Sequence, residues 1–222
     1  METKPWNLAF WGSEEWKTLN SKLTKLESEN VSLNPSRECW FSSLANLPLS
    51  DVRVCLVGQD PYPQKAFATG EAFAIPERFG PEDYPVTLKQ IFKEYSRDLH
   101  YPLPLRGSLE KWRAQGVLLW NYVPVTQSGK SLSCDWTQWD NLNKELAGAL
   151  AEHNVVFGLL GTVAKRVLQF LGDDYSNVIA TSHPSPRGNL RSHNPFIGSR
   201  LFSNINVKLT QSGKSPIDWN LG

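Results

Sequence analysis

The sequence predicts an α/β fold: a single domain, residues 1–222, built as a three-layer sandwich with a central four-stranded parallel sheet flanked by helices. Three observations carry this expectation. Four short apolar runs stand at 54–57, 117–120, 155–160 and 178–180. They lack polar alternation, which marks strands covered on both faces. Segments with helical spacing lie between them, and strands alternating with helices assemble parallel sheets. Finally, no repeat, linker or low-complexity tract breaks the 222 residues, a length suited to one domain with a sizeable core.

Each element has its own local reason. Ser13 is placed to cap a first helix whose apolar face is Trp16, Leu19, Leu23 and Leu26. Asn34-Pro35-Ser36 breaks it, and a second apolar stretch, 40–47, leads to Pro48. The first strand, Val54 to Val57, stops at Gly58; Pro61 and Pro63 follow, and a proline has no N–H for a ladder. After a long loop ending near Pro85, Thr87 and Gln90 read as a capping box, opening a helix with Leu88, Ile91, Phe92, Tyr95 and Leu99. Ser108 caps a short helix carrying Leu109 and Trp112; Gly116 closes it before the second strand, which ends at Asn121. Trp136, Trp139, Leu142, Leu146 and Leu150 form the next helical face. The third strand runs into Gly161-Thr162 and a helix bearing Val163, Val167, Leu168 and Leu171. The fourth runs into Thr181-Ser182-His183-Pro184-Ser185-Pro186, and a last helix carries Leu201, Phe202, Ile205 and Leu209.

Composition narrows the function classes. The net charge is +1, so bulk charge alone does not point to nucleic acid. The charge is uneven, however. From Tyr175 to Ile217 there is no Asp or Glu, while Arg187, Arg191, Arg200, Lys208 and Lys214 lie there. Such a stretch either faces phosphates or is balanced in space by acids elsewhere. Cys39, Cys55 and Cys134 show no metal spacing, and buried free thiols in a reducing cytoplasm are the simplest reading. No metal or organic cofactor is expected, since His, Cys and carboxylates nowhere cluster at ligand spacing. No run reaches membrane-spanning length, so no membrane association is expected, and the location expected is cytoplasmic, or a nuclear or viral-host compartment if the source is not bacterial.

Parallel strands point their carboxyl ends to one edge, where open α/β sheets bind ligands. That edge receives Gln59, Asp60 and Tyr62, then Asn121, then Gly161 and Thr162, then His183 and Ser185. Taken singly, Asp60 and Asn121 are more often turn residues, and His183 more often a structural histidine. Four strand ends carrying polar residues toward one ligand outweigh any member. A carboxylate held by a proline-stiffened turn suits electrostatic or acid–base chemistry.

Over nearly its whole length the chain resembles family 1 uracil-DNA glycosylase. The matching motifs are Gly58-Gln59-Asp60-Pro61-Tyr62, Ala72-Phe73-Ala74-Ile75-Pro76, Gly116-Val117-Leu118-Leu119-Trp120-Asn121, His183-Pro184-Ser185-Pro186 and Pro216-Ile217-Asp218-Trp219. Their order makes the resemblance specific. It implies an enzyme that flips uracil out of single- or double-stranded DNA and hydrolyses its glycosidic bond. Asp60 and His183 would be catalytic, the first stabilising the cationic sugar and positioning water, the second donating to uracil O2. Phe73 would stack on the base, Asn121 would read its Watson–Crick edge, Tyr62 would block the C5 position, and Gln59 would add contacts. Thr87, Gly161, Thr162 and Ser185 would grip phosphates. Arg187, or Leu190 three residues on, would fill the gap left by the flipped base. The resemblance also implies a monomer and a possible proteinaceous inhibitor as partner.

The chain departs from the pattern in places. Pro63 stands where the family commonly has a His that helps order water near the catalytic Asp, although the poxviral branch looks alike here and at Trp120. Thr87 and Thr162 replace Ser and keep the hydroxyl. Arg187 replaces the usual Leu. Three readings compete: a glycosylase for another damaged pyrimidine, which Tyr62 opposes; a DNA-binding module without catalysis, which Asp60 and His183 together oppose; and an iron–sulfur glycosylase, which needs four cysteines where this chain has three.

Overall fold

The computed structural model describes residues 6–186, 188 and 192–222. Its centre is a sheet of β2 (Val54–Gly58), β3 (Val117–Asn121), β5 (Val156–Leu160) and β6 (Val178–Thr181). The order is β3-β2-β5-β6, and every pair is parallel. Each strand begins and ends within one residue of the apolar run that announces it. A second, smaller sheet was not legible in the sequence: β1 (Leu33–Asn34) pairs antiparallel with β4 (Thr126–Gln127).

Helices cover both faces, giving the expected three layers. Cys55 and Val57 point into one core with Trp16, Leu19 and Leu23 of α1 (Glu14–Ser28) and Leu142, Leu146 and Leu150 of α5 (Asp140–Glu152). Val54 and Leu56 point into the other core. There they meet Leu88, Ile91 and Phe92 of α3 (Val86–Leu99) and Leu201, Phe202 and Ile205 of the last helix, α6 (Leu201–Gln211). Both faces of β2 are therefore apolar, which is why its sequence does not alternate. The short helices α2 (Ser42–Ala45) and α4 (Glu110–Arg113) fill the flanks. Trp40, Trp112, Trp139 and Trp219 are fully buried, so much of the high tryptophan content is core. Trp112 donates its indole N–H to the Trp219 carbonyl at 2.9 Å, which docks the carboxyl-terminal Pro216-Ile217-Asp218-Trp219 segment onto α4.

Local signals fared unevenly. Ser13 caps α1 as expected, its hydroxyl accepting from the Trp16 N–H at 3.1 Å. Thr87 does not cap α3. The helix starts one residue earlier, at Val86, with Pro85 in extended geometry as its N-cap and no side-chain cap. Thr87 then falls inside the first turn, where its hydroxyl cannot serve its own helix start. The stretch after Thr162 forms a 3-10 helix, Ala164–Phe170. A 3-10 helix turns every three residues where an α-helix takes about 3.6. Three residues per turn keep Ala164 and Val167 inward but rotate Leu168 out of the expected apolar face, leaving it 45% exposed. Trp136 opens a single 3-10 turn ahead of α5 and is 38% exposed, so it too leaves the expected helical face. Of the three free cysteines only Cys55 is buried; Cys39 and Cys134 are half-buried. Among the described residues no helix is long and apolar enough to cross a membrane.

Candidate active site

The carboxyl edge of the sheet holds a recess of about 90 Å³, lined by Gln59, Asp60, Tyr62, Phe73, Thr87, Asn121, Ser131 and His183 among others. It is smaller than the roughly 300–1,000 Å³ of drug-sized pockets and far larger than the ~15 Å³ one water needs. A single flat heterocycle matches that scale. The parallel register sets Gly58 directly beside Asn121, so two strand ends meet at the recess floor. Gly58 has to be glycine here: a Cβ would lie 2.8 Å from Asn121 Oδ1 and 2.9 Å from Phe73 Cζ.

Asn121 is 7% exposed. Among the described residues its side-chain amide has no hydrogen-bond partner. Its polar atoms reach the recess, so they are free to pair with whatever enters it. The strand end that carries it is fixed from behind by Asn143 of α5. The Asn143 amide accepts from the Trp120 indole at 2.8 Å and donates to the carbonyls of Tyr122 and Trp139 at 2.9 and 2.8 Å.

Phe73 closes another wall. Its backbone is left-handed, at φ 67. That is unfavourable for a bulky residue and persists only where the surroundings over-determine it. Two bonds do so: the Ala72 N–H donates to the Leu119 carbonyl at 2.9 Å, and the Tyr62 hydroxyl donates to the Phe73 carbonyl at 3.0 Å. Burial pushes the Tyr62 phenol far above its ordinary pKa, so it remains a donor.

Asp60 is held by three donors. Gln59 Nε2 reaches Oδ1 at 2.9 Å, Ser131 Oγ reaches Oδ2 at 2.9 Å and Oδ1 at 3.1 Å, and the Leu132 N–H reaches Oδ2 at 2.6 Å. The loop that carries Asp60 is stapled in turn by the small sheet. Asn34 of β1 donates to the carbonyls of Pro63 and Tyr62 at 2.7 and 3.3 Å.

His183 is half-buried at the end of β6. Its Nδ1 accepts from the Ser185 N–H at 3.1 Å. The proton of the neutral ring therefore sits on Nε2. Burial lowers the imidazole pKa below its ordinary 6.5, and the charge of Asp60 opposes this only in part. Gly161, at φ +104, abuts the ring: a Cβ there would lie 3.0 Å from His183 Cβ.

Of the residues singled out in the sequence, Gln59, Asp60, Tyr62, Phe73, Thr87, Asn121 and His183 line the recess together. Gly161 and Ser185 stand behind His183. Thr162 is exposed beside Gly161, and the Ser185 hydroxyl accepts from the Gly188 N–H at 3.3 Å. Arg187 and Leu190 lie outside the described residues, as does Arg191. The acid-free stretch is partly spent on structure. The Arg200 Nε lies 3.9 Å from buried Asp98, and Lys208 and Lys214 donate to backbone carbonyls. Sequence reasoning missed Asn34, Gly58, Ser131, Leu132 and Asn143; only Gly58, at the end of an apolar run, carried a local signal.

The fold is an α/β sandwich with a polar recess at the carboxyl edge of its sheet, and the comparisons place it among base-excising enzymes. The family described as the uracil DNA glycosylase superfamily matches residues 45–210. A uracil-DNA glycosylase of Lacticaseibacillus casei is 36% identical over 210 residues, covering 94% of this chain and 89% of that protein. One from Mycolicibacterium vanbaalenii is 39% identical over 176 residues, covering 78% and 75%. The crystal structure of mimivirus uracil-DNA glycosylase superposes with a TM-score of 0.83 at 24% identity, covering 94% of this chain and 82% of that one. The chain belongs to the uracil DNA glycosylase superfamily.

Proposed function

We propose that this protein is a monofunctional family 1 uracil-DNA glycosylase of base excision repair, releasing free uracil and leaving an abasic site. The observation that carries the reading is the unpartnered Asn121 amide, sharing one recess with Asp60 and His183. An amide offers a donor and an acceptor side by side, matching uracil O4 and N3–H; cytosine presents the opposite pattern. Phe73 stacks on the extruded ring and Tyr62 crowds C5, where thymine carries a methyl group.

In the reaction the C1′–N1 bond breaks and its electron pair leaves with the base. Negative charge gathers at uracil O2, where the His183 Nε2–H donates. Positive charge gathers on the sugar, where the Asp60 carboxylate stabilises it. A water oxygen bonds to C1′, and its proton passes to Asp60; Asp60 then gives that proton up to solvent, and the departing uracil anion takes one from solvent. These groups act where charge exists only in the transition state. Gln59 steadies Asp60. Thr87, Gly161, Thr162 and Ser185 contact phosphates, and Arg187, with Leu190 as the alternative, fills the vacated stack. Structures of mimivirus UNG variants in complex with UGI support an inhibitor protein as a possible partner. The enzyme acts as a single-domain monomer.

The test is incubation with a uracil-containing oligonucleotide and its thymine twin, followed by alkali. Strand breakage at uracil alone is the expected result; an intact uracil strand refutes the reading. Two further outcomes follow. Gly58→Ala should lower excision by roughly 10-fold, because its methyl enters the recess floor against Asn121 and Phe73, and should lower stability by about 1–3 kcal/mol through the same overpacking. Single-turnover rates and the unfolding temperature, measured on the same protein, check both. The His183 ring should titrate below 6.5, because burial disfavours its cation. Unfolded chains take up this proton near 6.5 and folded ones only at lower pH. Its stabilising contribution is thus whole above about 6.5 and lost as pH falls through the lowered folded value. A proton NMR titration reads the midpoint directly, and a value at or above 6.5 contradicts it.

A further inference from the structure

We propose that Ser131 is the positioning residue for Asp60: its hydroxyl fixes the plane of that carboxylate in the recess. The inference rests on the glycosylase reading above. Asp60 receives two side-chain donors, Gln59 and Ser131, besides the Leu132 N–H. Gln59 is its chain neighbour and travels with the same loop. It cannot by itself orient Asp60 against the rest of the molecule. Within that loop the Tyr62 hydroxyl is committed to the Phe73 carbonyl. Pro63 has no side-chain donor, and its own carbonyl is taken by Asn34 and by the Gly129 N–H at 2.8 Å.

Ser131 and Leu132 come instead from the turn after β4, 71 and 72 residues along the chain. That turn is itself braced. The Thr126 hydroxyl donates to the Lys130 carbonyl at 2.8 Å, and Ser133 Oγ accepts from the Gln127 N–H at 2.6 Å. Leu132 adopts φ 56, a conformation unfavourable for leucine. Its N–H and the Ser131 hydroxyl both meet Asp60 from this turn. The Gly129 bond to Pro63 staples the turn to the loop a second time. A hydrogen bond to a charged oxygen is about twice as strong as a neutral one. Catalytic groups work only when held within about 0.5 Å and 10–20° of the productive geometry. Ser131 supplies that restraint from outside the Asp60 loop. It is exposed and lines the recess, so its side chain is expendable to the core.

The experiment compares wild type, Ser131→Ala and Ser131→Thr in single-turnover excision of uracil. Binding to a duplex carrying a non-hydrolysable uracil analogue and the thermal unfolding midpoint are measured on the same preparations. Ser131→Ala should lower the rate constant roughly 10- to 100-fold. Analogue binding and unfolding should stay at wild-type values, and Ser131→Thr, which keeps the hydroxyl, should regain most of the rate. Three results overturn the inference alone, given an active wild type: an unaltered rate in Ser131→Ala, a loss that tracks binding or unfolding, or a Ser131→Thr no better than the alanine variant. A wild type that releases no uracil overturns the glycosylase reading, and this inference with it.

Discussion

Asp60→Asn should lower single-turnover uracil excision by about 10²–10³-fold or more while DNA affinity stays within a few-fold. The magnitude is that of removing one preorganised group from developing charge, about 3–4 kcal/mol. An amide is isosteric, so the Ser131 and Leu132 donors still find an oxygen where Oδ2 stood. It carries no negative charge to face the sugar cation and takes no proton from water. The ground-state complex, with an uncharged sugar, loses little, and kcat should fall with little change in KM. Parallel loss of binding to uncleaved DNA would show that Asp60 serves in grip rather than chemistry. His183→Ala should follow the same split for the opposite charge, since its Nε2–H meets an oxygen that becomes anionic only as the bond breaks.

The second large effect concerns selectivity. Asn121→Asp should convert refusal of cytosine into measurable excision. A site built to hydrogen-bond one edge rejects its mismatch by about 10⁴–10⁵, because buried polar groups are left unpaired. The residue is 7% exposed and its amide has no protein partner among the described residues, so a base in the recess meets it directly. A carboxyl group offers an acceptor to the cytosine amino group, which the amide nitrogen cannot. Tyr62→Ala should likewise admit thymine. The ring is held by its bond to the Phe73 carbonyl and an edge contact with Phe67 at 6.2 Å, so it does not swing aside for a methyl group. Excision assays on cytosine- and thymine-containing strands check both. Active variants that remain strict for uracil would rule out this recess as the base reader.

Capping chemistry proved the less reliable guide along the chain. Ser13 caps α1 as its position suggests, whereas Thr87 is pre-empted by Pro85, whose fixed φ already sets the helix entry. Thr87 then lines the recess instead. Periodicity failed at Leu168 for a similar reason: a crossover wound as a 3-10 helix changes which residues share a face. The acid-free stretch looked uniform as sequence, yet Arg200 is set against Asp98, a buried carboxylate of α3. Its lack of acids in the chain was not a lack of acids in space.

The sheet and its working edge can be read from the order of residues alone. Buried parallel strands record themselves as apolar runs without alternation, and helical crossovers force them to point the same way. Gln59, Asp60, Asn121 and His183 therefore share one edge as soon as the strands are recognised. Which polar groups on that edge are spent and which are free depends instead on packing. The donors that hold Asp60 and the loop around it come from Ser131, Leu132 and Asn34, tens of residues away. Asn143 braces the Asn121 strand end from another helix, and the Asn121 side chain itself is left without a protein partner among the described residues. A hydrogen-bond partnership between distant loops has no period and no composition, so nothing in the linear order marks it until packing brings the two groups together.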